Sequence, residues 1–172
     1  NRKQTAEGLL EYLPDCLQKQ GADAAMSSEK RELPAKKHRQ QVLEAVKSQR
    51  VTIVSGATGS GKTTQIPQFL MDDHDLVPPG KLVVVTQPRR IAAITIAERV
   101  ASERNEELKQ SVGYQIRFQN VTGENTRLVF CTTAVLLRKL FTDPALSDVA
   151  VLVVDEAHER DLHTEFLLLA VR

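Results

Sequence analysis

Residues 51–63 read Val51-Thr52-Ile53-Val54-Ser55-Gly56-Ala57-Thr58-Gly59-Ser60-Gly61-Lys62-Thr63. A β-branched run that predicts a strand leads into G-x-x-x-x-G-K-T, and Lys62 to Met71 behind it reads as a helix. The glycines let the backbone wrap through conformations other residues resist, so the N–H groups from Gly59 to Thr63 converge at a helix N-terminus, where an anion is favoured. Lys62 adds a mobile cation for β- and γ-phosphate oxygens, and the Thr63 hydroxyl is a Mg²⁺ ligand candidate. With glycine at about 7% of residues, a chance match to this pattern has odds on the order of 1%. The plainer alternative is a flexible Gly/Ser turn with a solvated lysine, and the strand–loop–helix context argues for a nucleoside triphosphate site.

Outward from this loop the period alternates. Continuous apolar, β-branched runs at Val51 to Val54, Leu82 to Thr86, Leu128 to Cys131 and Val149 to Val154 predict strands buried on both faces. Helical patterns occupy Lys36 to Gln49, Lys62 to Met71, Ile91 to Glu103, Ala134 to Phe141 and a segment from about Glu159 onward. Strands alternating with helices need crossover connections, so the expected fold class is α/β with a mostly parallel sheet. Asp75 to Gly80 and Gln119 to Asn125 read as turn-rich links. Residues 1–33 are polar and loosely patterned, with a helix-like piece at Glu7 to Gln18 interrupted by Pro14, and are expected to form a peripheral arm to a domain at 34–172.

Composition sets the limits. The chain has 172 residues, 41% of them hydrophobic and 26% charged, which suits a folded domain rather than a disordered chain. A net charge of +1 announces no polyanionic partner, so any nucleic acid must be argued from a site. The longest apolar stretches, Val149 to Val154 and Phe166 to Val171, fall far short of the roughly 20 residues that cross a bilayer, so no membrane partner is expected. Cys16 and Cys131 are far apart and form no C-x-x-C pair, which suits an intracellular reducing compartment: nucleus, cytoplasm or mitochondrion. A first residue of Asn1 rather than Met leads us to expect a piece of something longer.

Val151 to Val154 runs into Asp155-Glu156, placing both acids at the carboxyl end of a strand, the edge where open α/β sheets bind ligands. Asp155 is a candidate to hold Mg²⁺ opposite Thr63, and Glu156 a candidate metal neighbour that polarises the attacking water. The alternative is that both are helix N-cap charges. His158 and His163 tempt a zinc reading, but five residues apart on a helix they diverge by about 140°, whereas a shared face needs a spacing of four.

Three stretches together carry a family signature: Gly56 to Gln68 (GATGSGKTTQIPQ), Thr86 to Arg90 (TQPRR) and Asp155-Glu156-Ala157-His158. With Val112 to Phe118 and Cys131 to Leu140, they resemble the DEAH-box helicases of superfamily 2, most closely the RNA helicase A-like branch, over about Leu33 to Arg172. The resemblance implies the first RecA-like lobe of an ATP-dependent RNA helicase, with ATP and Mg²⁺ as cofactors, RNA as partner and a second RecA-like lobe of the same protein beyond Arg172. A surrounding ribonucleoprotein complex is a further expected partner, and a single lobe is expected to turn over ATP very slowly.

Residue by residue, Gly59, Ser60, Gly61, Lys62, Thr63 and Thr64 resemble the family's nucleotide loop. Asp155 and Glu156 resemble its metal and water residues, and His158 the residue linking nucleotide state to the rest of the motor. Arg99 matches an arginine that stacks on adenine. Gln87, Arg89 and Arg90, with Thr132, Thr133 and Arg138, match motifs that track the RNA backbone, and Ala134 stands where a glycine is usual. Phosphate contacts of this kind position a strand without reading its sequence. Two rivals remain: a helicase-derived assembly factor that needs no turnover, against which the intact Lys62, Thr63, Asp155 and Glu156 count, and a DNA-directed motor.

Overall fold

In the computed structural model, which describes residues 33–171, apolar runs become strands because helices cover both of their faces. The order is α1 (Pro34–Lys37), α2 (Arg39–Ser48), α3 (Lys62–Asp72), β1 (Leu82–Gln87), α4 (Arg90–Glu103), β2 (Val112–Ile116), β3 (Gln119–Val121), β4 (Leu128–Thr132), α5 (Thr133–Thr142), β5 (Val149–Val154), a 3-10 turn (Ala157–Glu159) and α6 (Leu162–Ala170). One five-stranded sheet runs β3-β2-β4-β1-β5, parallel except for the antiparallel β3. This is the RecA-like α/β architecture that the sequence implied. The expected arm, including the helix-like piece at Glu7 to Gln18, lies outside the described residues apart from Leu33.

Strand period explains the layering. Val83 and Val85 of β1 face a core with Ile66 and Leu70 of α3 and Ala93, Ala97 and Val100 of α4. Val84, between them, faces the opposite core with Cys131, Leu136 of α5 and Leu167 of α6. Phe130 of β4 is fully buried in the first core, and its truncation to alanine would cost about 3–5 kcal/mol. No helix among the described residues is long and apolar enough to cross a membrane.

Three expectations change. Val51 to Val54 forms no strand, and Val51 and Ile53 are 76% and 90% exposed. Its β-branched residues supply propensity, but the segment pairs with none of the five strands. The link at Gln119 to Asn125 instead opens with β3, which pairs back on β2 with Ile116 opposite Gln119. The helix foreseen over Lys36 to Gln49 is divided at His38 into α1 and α2.

Candidate nucleotide and nucleic-acid site

The glycine loop is built as its spacing requires. Gly59 and Gly61 have φ of 77° and 91°, in the left-handed region that glycine enters without strain, and Gly61 is the N-cap of α3. The Ser60 N–H donates to the Ala57 carbonyl at 3.2 Å, and the Ser60 carbonyl accepts from Ala35 at 2.9 Å, tying the loop to α1. Lys62 Nζ donates to the carbonyls of Gly56 and of Ala57, the latter at 2.9 Å, and lies 3.4 Å from Ser60 Oγ. The ammonium is therefore folded back onto the loop's own carbonyls. Thr63 is half-buried one residue later, and Thr64 is buried beneath the loop.

Helix starts at this site share a property. α3, α4 and α5 begin at Gly61, Arg89 and Thr132 with no side-chain cap and no acid in the first turn. By contrast, Asp161 caps α6 by accepting from the backbone of His163 and Thr164. Its carboxyl is held below the usual carboxylate range, chiefly by the Thr164 hydroxyl. Uncapped N–H groups with a positive dipole end favour anions. Arg89 and Arg90 add exposed cationic side chains at one such start. Thr132 and Thr133 are buried at another, and Arg138 is exposed one turn further along α5.

The acidic tetrad follows β5. Asp155 is half-buried; its Oδ2 accepts from Gln87 Nε2 at 2.7 Å and its Oδ1 from the Glu156 backbone N–H at 2.9 Å. It has no ion-pair partner among the described residues, so a hard oxygen donor set bearing negative charge remains for a divalent cation, which fits magnesium chemistry. No cluster of three or more His, Cys, Asp or Glu that could hold a metal ion is present among the described residues. Glu156 and Arg160 both have φ of 50°, so left-handed residues bracket the 3-10 turn, a placement that costs non-glycine residues of order 1–3 kcal/mol. His158 Nδ1 lies 3.3 Å from Glu156 Oε2, bringing these two candidates together. His158 lies in the 3-10 turn and His163 in α6, so the two do not share one helix.

Other contacts were invisible in the sequence. Gln87 is buried against Asp155 rather than open to a nucleic acid. Arg89 pairs with Glu159 at 3.2 Å, joining the TQPRR segment to the acidic turn. Arg99 is exposed and pairs with Glu103 at 3.1 Å, and Glu103 also accepts from Gln65 at 2.7 Å and Gln68 at 3.1 Å. Glu103 thereby ties Arg99 to the helix that follows the glycine loop. Its acidic character at i+4 from Arg99 was the available signal.

A glycine loop at the start of α3 and an acid at the end of β5 in a mostly parallel sheet are the marks of a P-loop nucleotide-binding lobe. The chain belongs to the DEAD/DEAH box helicase family, whose signature matches residues 36–166. It is 50% identical over 146 residues to the human protein described as putative ATP-dependent RNA helicase DHX57, covering 84% of this chain and 10% of that protein. It is 46% identical over 150 residues to the Arabidopsis thaliana DExH-box ATP-dependent RNA helicase DExH1, covering 86% and 15%. It is likewise 46% identical over 143 residues to the Arabidopsis pre-mRNA-splicing factor ATP-dependent RNA helicase DEAH10, covering 83% and 20%. The chain thus spans between a tenth and a fifth of the length of these relatives.

Proposed function

We propose that this chain is the first RecA-like lobe of an ATP-dependent RNA helicase, which couples ATP hydrolysis to movement on, or remodelling of, RNA or ribonucleoprotein. The observation that carries this reading is the Gly59–Thr63 loop with Lys62 turned into it at the uncapped start of α3. On binding, the Lys62 ammonium exchanges loop carbonyls for β- and γ-phosphate oxygens, while backbone N–H groups up to Thr63 hold the rest of the triphosphate tail. Thr63 and Asp155 would hold Mg²⁺, which neutralises charge developing on the phosphates. Glu156 orients and deprotonates the attacking water, with His158 beside it. Arg99 would stack on the π-face of the base, a contact that tolerates several nucleobases. Arg89, Arg90, Arg138 and the helix starts at Arg89 and Thr132 grip the RNA backbone. A second lobe supplies the remaining half of the ATP site.

The test uses the full-length protein. Glu156→Gln should retain ATP binding and lose hydrolysis by roughly 10²-fold or more, and near-normal turnover removes Glu156 from the catalytic role. Lys62→Ala should lose nucleotide affinity in calorimetry, and unchanged binding refutes the phosphate clamp. Stimulation of the ATPase by RNA over DNA at matched salt distinguishes the RNA motor from a DNA-directed one.

A further inference from the structure

Gln87 closes β1, and its side chain is 1% exposed. A buried amide needs partners, and this one has found Asp155, with Nε2 to Oδ2 at 2.7 Å. An ionised carboxylate only accepts, so the amide must present its NH₂ end to it. The register makes the meeting unavoidable. β1 and β5 are parallel with Thr86 opposite Val154, so the next residues, Gln87 at the end of β1 and Asp155 just past β5, lie side by side. The Asp155 N–H to the Thr86 carbonyl at 3.3 Å extends the ladder to that point.

The carboxylate is therefore held from two directions. Oδ2 is fixed by a side chain of β1, and Oδ1 by the Glu156 backbone N–H at 2.9 Å. Two donors on different oxygens set the plane of the group, and each oxygen keeps a further lone pair. The donor's neutrality matters as well. A lysine or arginine at position 87 would cancel the charge of Asp155, whereas an amide orients it and leaves it anionic. We infer that Gln87 is the positioning residue of Asp155, setting the carboxylate plane for the divalent cation that accompanies the nucleotide. The inference rests on the nucleotide and metal reading above. It gives Gln87, which lies two residues before the exposed Arg89, an inward role distinct from contact with RNA.

The experiment titrates Mg²⁺ against binding of a fluorescent ATP analogue to the full-length protein, with a parallel measurement in EDTA. Gln87→Met keeps the length and removes the donor; Gln87→Asn keeps the amide but shortens the side chain by one bond of about 1.5 Å. Both variants should need about 10-fold more Mg²⁺ for half-maximal enhancement of binding, the effect typical of losing a partner of a metal ligand. Metal-free affinity should be unchanged, while the melting temperature without ligand should fall by a few degrees in both variants, since each breaks the same buried hydrogen bond. Equal Mg²⁺ dependence in parent and variants overturns the role of Gln87. A fall in metal-free affinity, with the Mg²⁺ enhancement intact, also overturns it, in favour of a packing role. If binding to the parent itself shows no Mg²⁺ dependence, the metal reading of Asp155 and Thr63 fails first, and the role of Gln87 falls with it.

Discussion

Replacing Gly61 by alanine adds one methyl group at a place where the structure specifies what it meets. Gly61 has φ +91°, and an added Cβ would lie 3.1 Å from Gln65 Cγ, 3.1 Å from Leu33 Cδ1 and 3.2 Å from Leu33 Cβ. The left-handed backbone costs an alanine roughly 1–2 kcal/mol, and the crowding adds about 1–3 kcal/mol, as overpacking does elsewhere. Gln65 cannot easily give way, because its amide is bound to Glu103 at 2.7 Å. Gly80 is the control: φ is +81° and nothing lies within 4 Å of its added Cβ, so Gly80→Ala carries the backbone term alone. Urea denaturation of both variants, followed by far-UV circular dichroism, should show Gly61→Ala less stable than Gly80→Ala by about 1–3 kcal/mol at equal m-value. Nucleotide affinity should fall for Gly61→Ala only. Equal midpoints with equal affinities would show that Leu33 and Gln65 do not press on the loop, and the packing argument would be refuted.

Three further outcomes follow from the contacts described. Asp161→Ala should cost about 1 kcal/mol through the lost N-cap of α6. Because the folded carboxyl is held below its unfolded value of about 3.9, the cap is fully present above that pH and is lost as pH falls through the lowered folded value; thermal melts at pH 7 and pH 2 should show the parent–variant gap closing at the acid end. The Cys131 thiol is pushed up to about 12 by burial, so iodoacetamide at pH 8 should modify it only under unfolding conditions, read by mass spectrometry of its peptide; native labelling at a free-thiol rate would contradict the closed core. Arg89→Ala should weaken RNA binding and lower the slope of log K against log salt by about 1, whereas Glu159→Gln should tighten it by releasing Arg89; an unchanged affinity for Glu159→Gln would mean that the ion pair does not compete with RNA.

Much of this lobe was legible because its signals are local. The loop from Gly56 to Thr63 and the strand-end acids Asp155 and Glu156 were found from spacing and neighbours in the chain. Leu82 to Thr86 and Leu128 to Cys131 read as doubly covered strands, and their residues are buried apart from Leu82. The same pattern overstated Val149 to Val154, which is mostly half-buried, and Val51 to Val54, which is unpaired. Propensity is a property of residues, but burial depends on how many strands lie alongside. The β2–β3 hairpin escaped notice because its turn, Arg117-Phe118, carries no glycine or asparagine even though Phe118 has φ 66°. Gly113 marks it in retrospect, since a Cβ there would sit 2.4 Å from the Val121 carbonyl oxygen. The ties of Gln87 to Asp155 and of Glu103 to Gln65 join residues 68 and 38 positions apart, and no local pattern encodes such pairings.

The two margins of the sheet differ in a way that matters at the bench. β3 is a three-residue rim carrying exposed Gln119 and Asn120, a poor template for another chain. β5 is a six-residue apolar rim, four of its residues valine, with a backbone row paired on one side only among the described residues. A polypeptide made of residues 33–171 would carry that unpaired flank into solution and aggregate as its concentration rises, and a charge placed at the exposed Ala150 should keep it dispersed.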